Sequence, residues 1–90
     1  MKSSWKTFLD LCLKTRNAHE FSKLLNCFLT IEEKESIADR LMIVNALLDE
    51  KLTQREISAK LNVSIAKITR GSNALKTLDP HLRAFLKKYG

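Results

Sequence analysis

The sequence predicts an all-α fold of six short helices, and three observations predict it. Apolar residues recur at three- and four-residue steps along most of the chain. Only two glycines and one proline interrupt 90 residues, so few stretches can serve as loops. Alternating β-branched runs, the mark of strands, are absent. A chain this short is expected to be a single domain over residues 1–90 with a thin core. Its apolar content is 44%, enough for a packed helical protein, and a core shared in a homodimer is expected.

In chain order, Ser3 or Ser4 can cap a first helix running to about Arg16. Its stripe is Trp5, Phe8, Leu9, Cys12 and Leu13. Trp5 could stack on a base, but its place on this stripe favours packing in a core or dimer interface. Asn17 punctuates, and a second helix runs from about Ala18 to Leu29 with Phe21, Leu24, Leu25, Phe28 and Leu29 on its apolar face. A first helix this apolar predicts packing on a partner chain. Thr30-Ile31-Glu32-Glu33 is a capping box that opens the longest helix, to about Lys51. Glu32, Glu33 and Glu35 suit the positive end of that helix. Ile37, Leu41, Val44 and Leu48, at steps of four, three and four, are expected to form its buried seam.

Thr53–Leu75 reads as two short helices around a tight turn. Thr53 and Glu56 form a second capping box, and Ile57 and Leu61 follow at helical spacing. Asn62 tolerates the left-handed conformation that a tight turn needs. Ser58 is small, Val63 can plug the angle between the helices, and Ser64 can cap the second. The inner face of that helix is expected to carry Ile65, Ile68, Ser72 and Leu75. This is the outline of a DNA-binding helix-turn-helix, with an ordinary helical hairpin as the alternative. Asp79 and Pro80 then open a last helix, with Leu82, Phe85 and Leu86 apolar and Lys87 and Lys88 at its negative end.

The net charge of +6 is unevenly spread. Residues 1–50 hold seven Lys/Arg against eight Asp/Glu; residues 51–90 hold nine against two. The cations therefore travel with the helix-turn-helix, where a polyanion would dock. Cys12 and Cys27 stand apart among apolar residues of expected helices, with no second cysteine or histidine at ligand spacing, which predicts buried, reduced thiols and no metal site. His19 is solitary and is expected to have no metal or catalytic role. The Glu32–Glu35 cluster lacks a nucleophile or metal set beside it. No enzyme is expected. Nothing reads as a signal peptide, and no apolar run approaches about 18 residues, so a cytoplasmic protein with no membrane partner is expected.

Two residues invite competing readings. Arg40, at the edge of an apolar face, is usually a snorkelling surface residue; its planar guanidinium also stacks well on an aromatic ring. Gly71, inside a helix, is worth about 1 kcal/mol less than alanine. Either a ligand or neighbouring helix comes close there, or the helix bends.

Ile68-Thr69-Arg70-Gly71-Ser72-Asn73, followed by Ala74-Leu75-Lys76, resembles the reading-head segment of the Trp repressor family. Gln54-Arg55-Glu56, Leu29-Thr30 and Arg40 fall at matching spacings, and the resemblance covers about Trp5 to Leu86. It implies an intertwined dimer whose two reading heads enter successive major grooves of an operator, the docking known for helix-turn-helix repressors, the Trp repressor among them. It also implies L-tryptophan as co-repressor. The indole would lie between Arg40 and Arg70, with Arg70 also meeting the carboxylate and Gly71 allowing close approach. Thr30 and the carbonyls of Cys27 and Leu29 would receive the amino group from the partner chain. Ala74 stands where the family commonly has a carboxylate-binding serine, and Cys27 where it has leucine. The expected DNA-contacting residues are Gln54, Arg55, Ser58, Ser64, Ile65, Ala66, Lys67, Thr69, Asn73 and Lys76. Among those at the reading end, Lys67 alone can donate strongly to guanine O6/N7. The expected function is tryptophan-dependent repression of genes for tryptophan synthesis or uptake. A DNA-binding regulator with lost or altered ligand gating is the alternative.

Overall fold

Six helices and no strands make up the computed structural model, which describes residues 3–90; Met1 and Lys2, included in the expected 1–90 domain, lie outside the described residues. The helices are α1 (Ser4–Lys14), α2 (Ala18–Asn26), α3 (Ile31–Asp49), α4 (Gln54–Leu61), α5 (Ile65–Lys76) and α6 (Pro80–Tyr89). The chain divides into two compact units, one ending at Lys34 and one spanning Glu35–Gly90.

Local side-chain chemistry sets most boundaries. The Asn17 side chain accepts from the Glu20 N–H and starts α2. At α3 the Thr30 N–H donates to Glu33 Oε1 (2.8 Å) and the Glu33 N–H donates to Thr30 Oγ1 (3.1 Å), which completes the first capping box. Thr53 and Glu56 do the same for α4. Ser64 accepts from the Lys67 N–H, and Asp79 from the His81 N–H with Pro80 in the first turn of α6. Ser3 occupies the cap position of α1 without a side-chain capping bond.

Three helices end earlier than expected. The Thr15 N–H and hydroxyl both donate to the Cys12 carbonyl, closing α1 at Lys14. Cys27 and Phe28 donate three residues back, to Leu24 and Leu25, a tightening that ends α2 at Asn26. Glu50 adopts φ 57°, a left-handed conformation that stops α3 at Asp49.

The Thr53 N–H, and secondarily its hydroxyl, hold the Glu56 carboxyl below its ordinary pKa. A carboxylate depressed in the folded state contributes stability that is full above its unfolded pKa. That contribution is lost as pH falls through the folded value. Glu56→Gln is therefore expected to flatten the acid side of the stability profile. Thermal unfolding across the carboxylate range checks this; parallel profiles for the two proteins would remove the capping box from the pH response.

The core of the second unit is three isoleucines, one from each of three helices. Ile43 of α3, Ile57 of α4 and Ile68 of α5 are essentially inaccessible, with Ala46, Leu47, Leu52, Leu61 and Val63 packed around them. This corrects the expected α3 seam. Ile37 and Leu41 are exposed and Val44 is half-buried; of the expected four, Leu48 alone is buried. The inward face of α3 is instead centred on Ile43. α5 is corrected likewise, since Ile65 is exposed and Gly71 is buried beside Ile68.

In the first unit, α1 and α2 contain no fully buried residue. Trp5 stacks on Phe8 at 5.5 Å and Phe8 meets Phe28 edge-on at 5.1 Å. Trp5 nevertheless remains 64% exposed and Leu13 84% exposed, and Leu9 is exposed too, so three of the five residues of the α1 stripe face solvent in the single chain while Phe8 and Cys12 are half-buried. Cys12 and Cys27 are free thiols, but the expected burial is corrected: Cys12 is half-buried and Cys27 exposed, because α1 and α2 enclose no interior in the single chain. Among the described residues no helix is long and apolar enough to cross a membrane.

Candidate nucleic-acid interface and ligand site

The helix-turn-helix is α4, a turn at Asn62–Ser64, and α5. Asn62 adopts φ 55°, ψ 47°, the left-handed geometry that swings the chain from one helix into the next. The turn is locked twice. The Val63 N–H donates to the Ser58 carbonyl at 3.2 Å, and Ser58 Oγ donates to the Val63 carbonyl at 2.6 Å. The Ser58 hydroxyl proton is thus committed to the turn, and Ser58 is half-buried, so it offers no free donor to a groove. Ile57 and Ile68 fasten the two helices to each other from inside.

The reading end of α5 is open. Ser64, Ile65, Ala66, Lys67 and Thr69 are all exposed, as are Gln54, Arg55, Asn73 and Lys76. Thr69 Oγ1 donates to the Ile65 carbonyl at 3.0 Å, and Lys76 Nζ donates to Asn73 Oδ1 at 3.4 Å. Lys67 Nζ lies 3.2 Å from Asp39 Oδ2, an ion pair between α5 and α3. The far end of α5 is held by α6, where the Arg83 guanidinium donates to the Leu75 carbonyl at 3.3 Å. Asp39 and Arg83 are missed by sequence reasoning. Their partners lie 28 and 8 residues away, beyond the reach of local pattern.

α3 meets α5 at Gly71. A methyl group built there would lie 2.8 Å from Ile43 Cγ2 and 3.6 Å from Arg40 Cδ. Of the two readings of this glycine, close approach of a neighbouring helix is the one observed. The Arg40 stem consequently runs beside the residue next to Arg70, on one face of the second unit. Arg70 itself shares an exposed stripe with Ala66 and Ala74. Among the described residues neither guanidinium has a carboxylate partner. Thr30 is exposed, with its hydroxyl engaged in the α3 cap. Cys27 is exposed and Leu29 half-buried, all three in the first unit. Two cavities, of 520 and 300 Å³, lie elsewhere in the second unit. One is lined by Asn45, Leu48 and Leu86, the other by Met42, Leu52 and Leu61, and neither by Arg40 or Arg70.

Gly71→Ala pits two effects against each other. Alanine improves the helix by about 1 kcal/mol, while overpacking a tight contact costs about 1–3 kcal/mol. The obstructing Ile43 is fully buried and β-branched, so its side chain cannot swing aside. The expected net result is a loss of about 1 kcal/mol, read as a lowered thermal midpoint; a gain would show that α3 and α5 part freely.

This fold, with an exposed basic helix after a locked left-handed turn, defines a helix-turn-helix DNA-binding regulator. A family profile described as Trp repressor protein matches residues 3–89. The chain belongs to the Trp repressor family. It is 53% identical over 93 aligned residues to a Trp operon repressor homolog of Chlamydia caviae, covering 99% of this chain and 92% of that protein. It is 49% identical to the one of Chlamydia trachomatis serovar D, covering 97% and 93%, and 43% identical to the one of Histophilus somni strain 2336, covering 93% and 79%.

Proposed function

We propose that the chain is a homodimeric, cytoplasmic, non-enzymatic repressor that binds operator DNA when L-tryptophan is bound, and so represses genes of tryptophan synthesis or uptake. The observation that carries the ligand assignment is the α3–α5 contact at Gly71, which brings the Arg40 stem alongside the helix that bears Arg70. A planar indole between two guanidiniums uses what arginine offers and lysine does not: a flat, weakly hydrated cation. Arg70 also takes the carboxylate. The partner's Thr30 hydroxyl and Cys27 and Leu29 carbonyls take the amino group. The ligand abuts α5 and fixes its angle to the rest of the dimer.

In the DNA complex Ser64, Ile65, Ala66, Lys67 and Thr69 face base edges, and Gln54, Arg55, Asn73 and Lys76 meet phosphates. The ligand shifts the dimer only by its differential affinity for the binding-competent arrangement. Tryptophan and operator therefore tighten each other's binding by the same factor. The test is titration of the purified protein with L-tryptophan, with and without duplex selected from a random pool. Affinity should fall steeply as salt rises, and tryptophan should tighten it. A second reading, a DNA-binding regulator without tryptophan gating, is favoured by Ala74, which removes a hydroxyl from the carboxylate site. DNA binding that ignores tryptophan would select it.

A further inference from the structure

Two consecutive residues of α3 address α5. Arg40 passes Gly71, and Asp39 pairs with Lys67, one helical turn nearer the start of α5. The Asp39–Lys67 pair is the one ion pair among the described residues. It engages the one side chain of the reading end that can donate strongly to a base. Both partners are roughly half-exposed, 48% for Lys67 and 42% for Asp39, so the pair is accessible and exchangeable.

We propose that Asp39 is a specificity-determining residue: its carboxylate withholds the Lys67 ammonium from DNA phosphates and yields it to a matching base edge. The proposal rests on the DNA-binding reading above. A lysine neutralised by its own carboxylate brings almost no net charge to a phosphate, so it releases few counterions and adds little to sequence-independent affinity. An exposed ion pair is worth a factor of about two to five in an equilibrium. A well-formed contact to guanine O6/N7 is worth about five- to one-hundred-fold or more. The stronger contact draws Lys67 away from Asp39, and the weaker one does not. The carboxylate thus sets a threshold that a correct base passes.

The test uses four full-length proteins: wild type, Asp39→Asn, Lys67→Ala and the double variant, with thermal unfolding as a check on folding. Each is titrated at several salt concentrations, with L-tryptophan present. The probes are a duplex selected from a random pool and a scrambled duplex of the same composition. Asp39→Asn is expected to tighten binding to the scrambled duplex about two- to five-fold, and to steepen its salt slope by about 0.9. Binding to the selected duplex should change less, so the specificity ratio falls. In the Lys67→Ala background the Asp39→Asn gain should vanish.

Persistence of the gain in that background would reduce Asp39 to a distant charge and overturn the proposal. Weaker binding to the selected duplex alone would also overturn it, by showing that Asp39 aims Lys67 instead of withholding it. Wild-type binding that Asp39→Asn leaves unaltered sinks the proposal and spares the DNA-binding reading. Absence of any salt-dependent wild-type binding sinks both.

Discussion

Ile68→Ala is expected to destabilise the second unit by about 2–5 kcal/mol, the range for emptying a well-packed isoleucine site. Ile68 has no solvent exposure and joins Ile57 and Ile43, the other two members of a three-residue core. The fully buried Ile43 and Ile57 beside it are β-branched and stiff, so they relax only partly into the gap and a cavity persists. Total stability for a domain of this size is about 5–13 kcal/mol, so the loss takes a large fraction of it. Since 1 kcal/mol moves the midpoint by about 4–8 °C at this size, a fall of roughly 8–40 °C should appear in thermal unfolding at fixed protein concentration. Ile68→Val, which removes one methylene, should lose about 0.5–1.5 kcal/mol. A midpoint for Ile68→Ala within a few degrees of wild type would mean that α4 and α5 are held by something other than these isoleucines.

Arg70→Ala is expected to abolish the tryptophan response. In the proposed site Arg70 both covers one ring face and meets the carboxylate, and Ala74 supplies no hydroxyl to share that load. A hydrogen bond to a charged group is worth about 1.5–3 kcal/mol and a cation over an aromatic face about 0.5–2 kcal/mol. Together they predict a fall in affinity of about thirty-fold to several-thousand-fold. Arg40→Ala removes a ring face alone, and its expected loss is about two- to thirty-fold. Calorimetry with L-tryptophan and with tryptamine, which lacks the carboxylate, separates the two roles: Arg70→Ala should erase the difference between these ligands, while Arg40→Ala should preserve it. Since Arg70 is exposed and unpaired with any carboxylate among the described residues, its removal should leave stability nearly unchanged. Equal tryptophan affinity in wild type and Arg70→Ala would end the sandwich arrangement.

The features legible in the sequence are those whose cause lies within about four residues. Both capping boxes, the Ser64 and Asp79 caps, and the left-handed Asn62 are properties of adjacent side chains and backbone. Features that depend on another helix were not legible. α3 carries apolar residues on more than one face, and the four-three-four spacing that singles out Ile37 and Leu41 picks the wrong one, since Ile43 is the residue that turns inward. The answer comes from Gly71, where the absence of a side chain lets Ile43 approach, and a glycine announces nothing about burial. Glu50 ends α3 in a conformation that glycine or asparagine would have signalled and glutamate does not. The ion pair between Asp39 and Lys67 has no local trace. In the site itself, the family resemblance pairs Arg40 with Arg70; what the fold adds is the close passage of the Arg40 stem by Gly71.

The outward-facing apolar stripe of α1 has a consequence for how the protein behaves in a cell. A segment with no interior of its own acquires one through association, so in the proposed dimer its persistence depends on protomer concentration. Scarce copies would leave Trp5 and Leu13 in water and the chain open to proteolysis, while abundant ones shelter each other. A repressor built this way would respond to its own copy number as well as to the proposed ligand, and a modest change in its synthesis would be felt more than proportionally at its target.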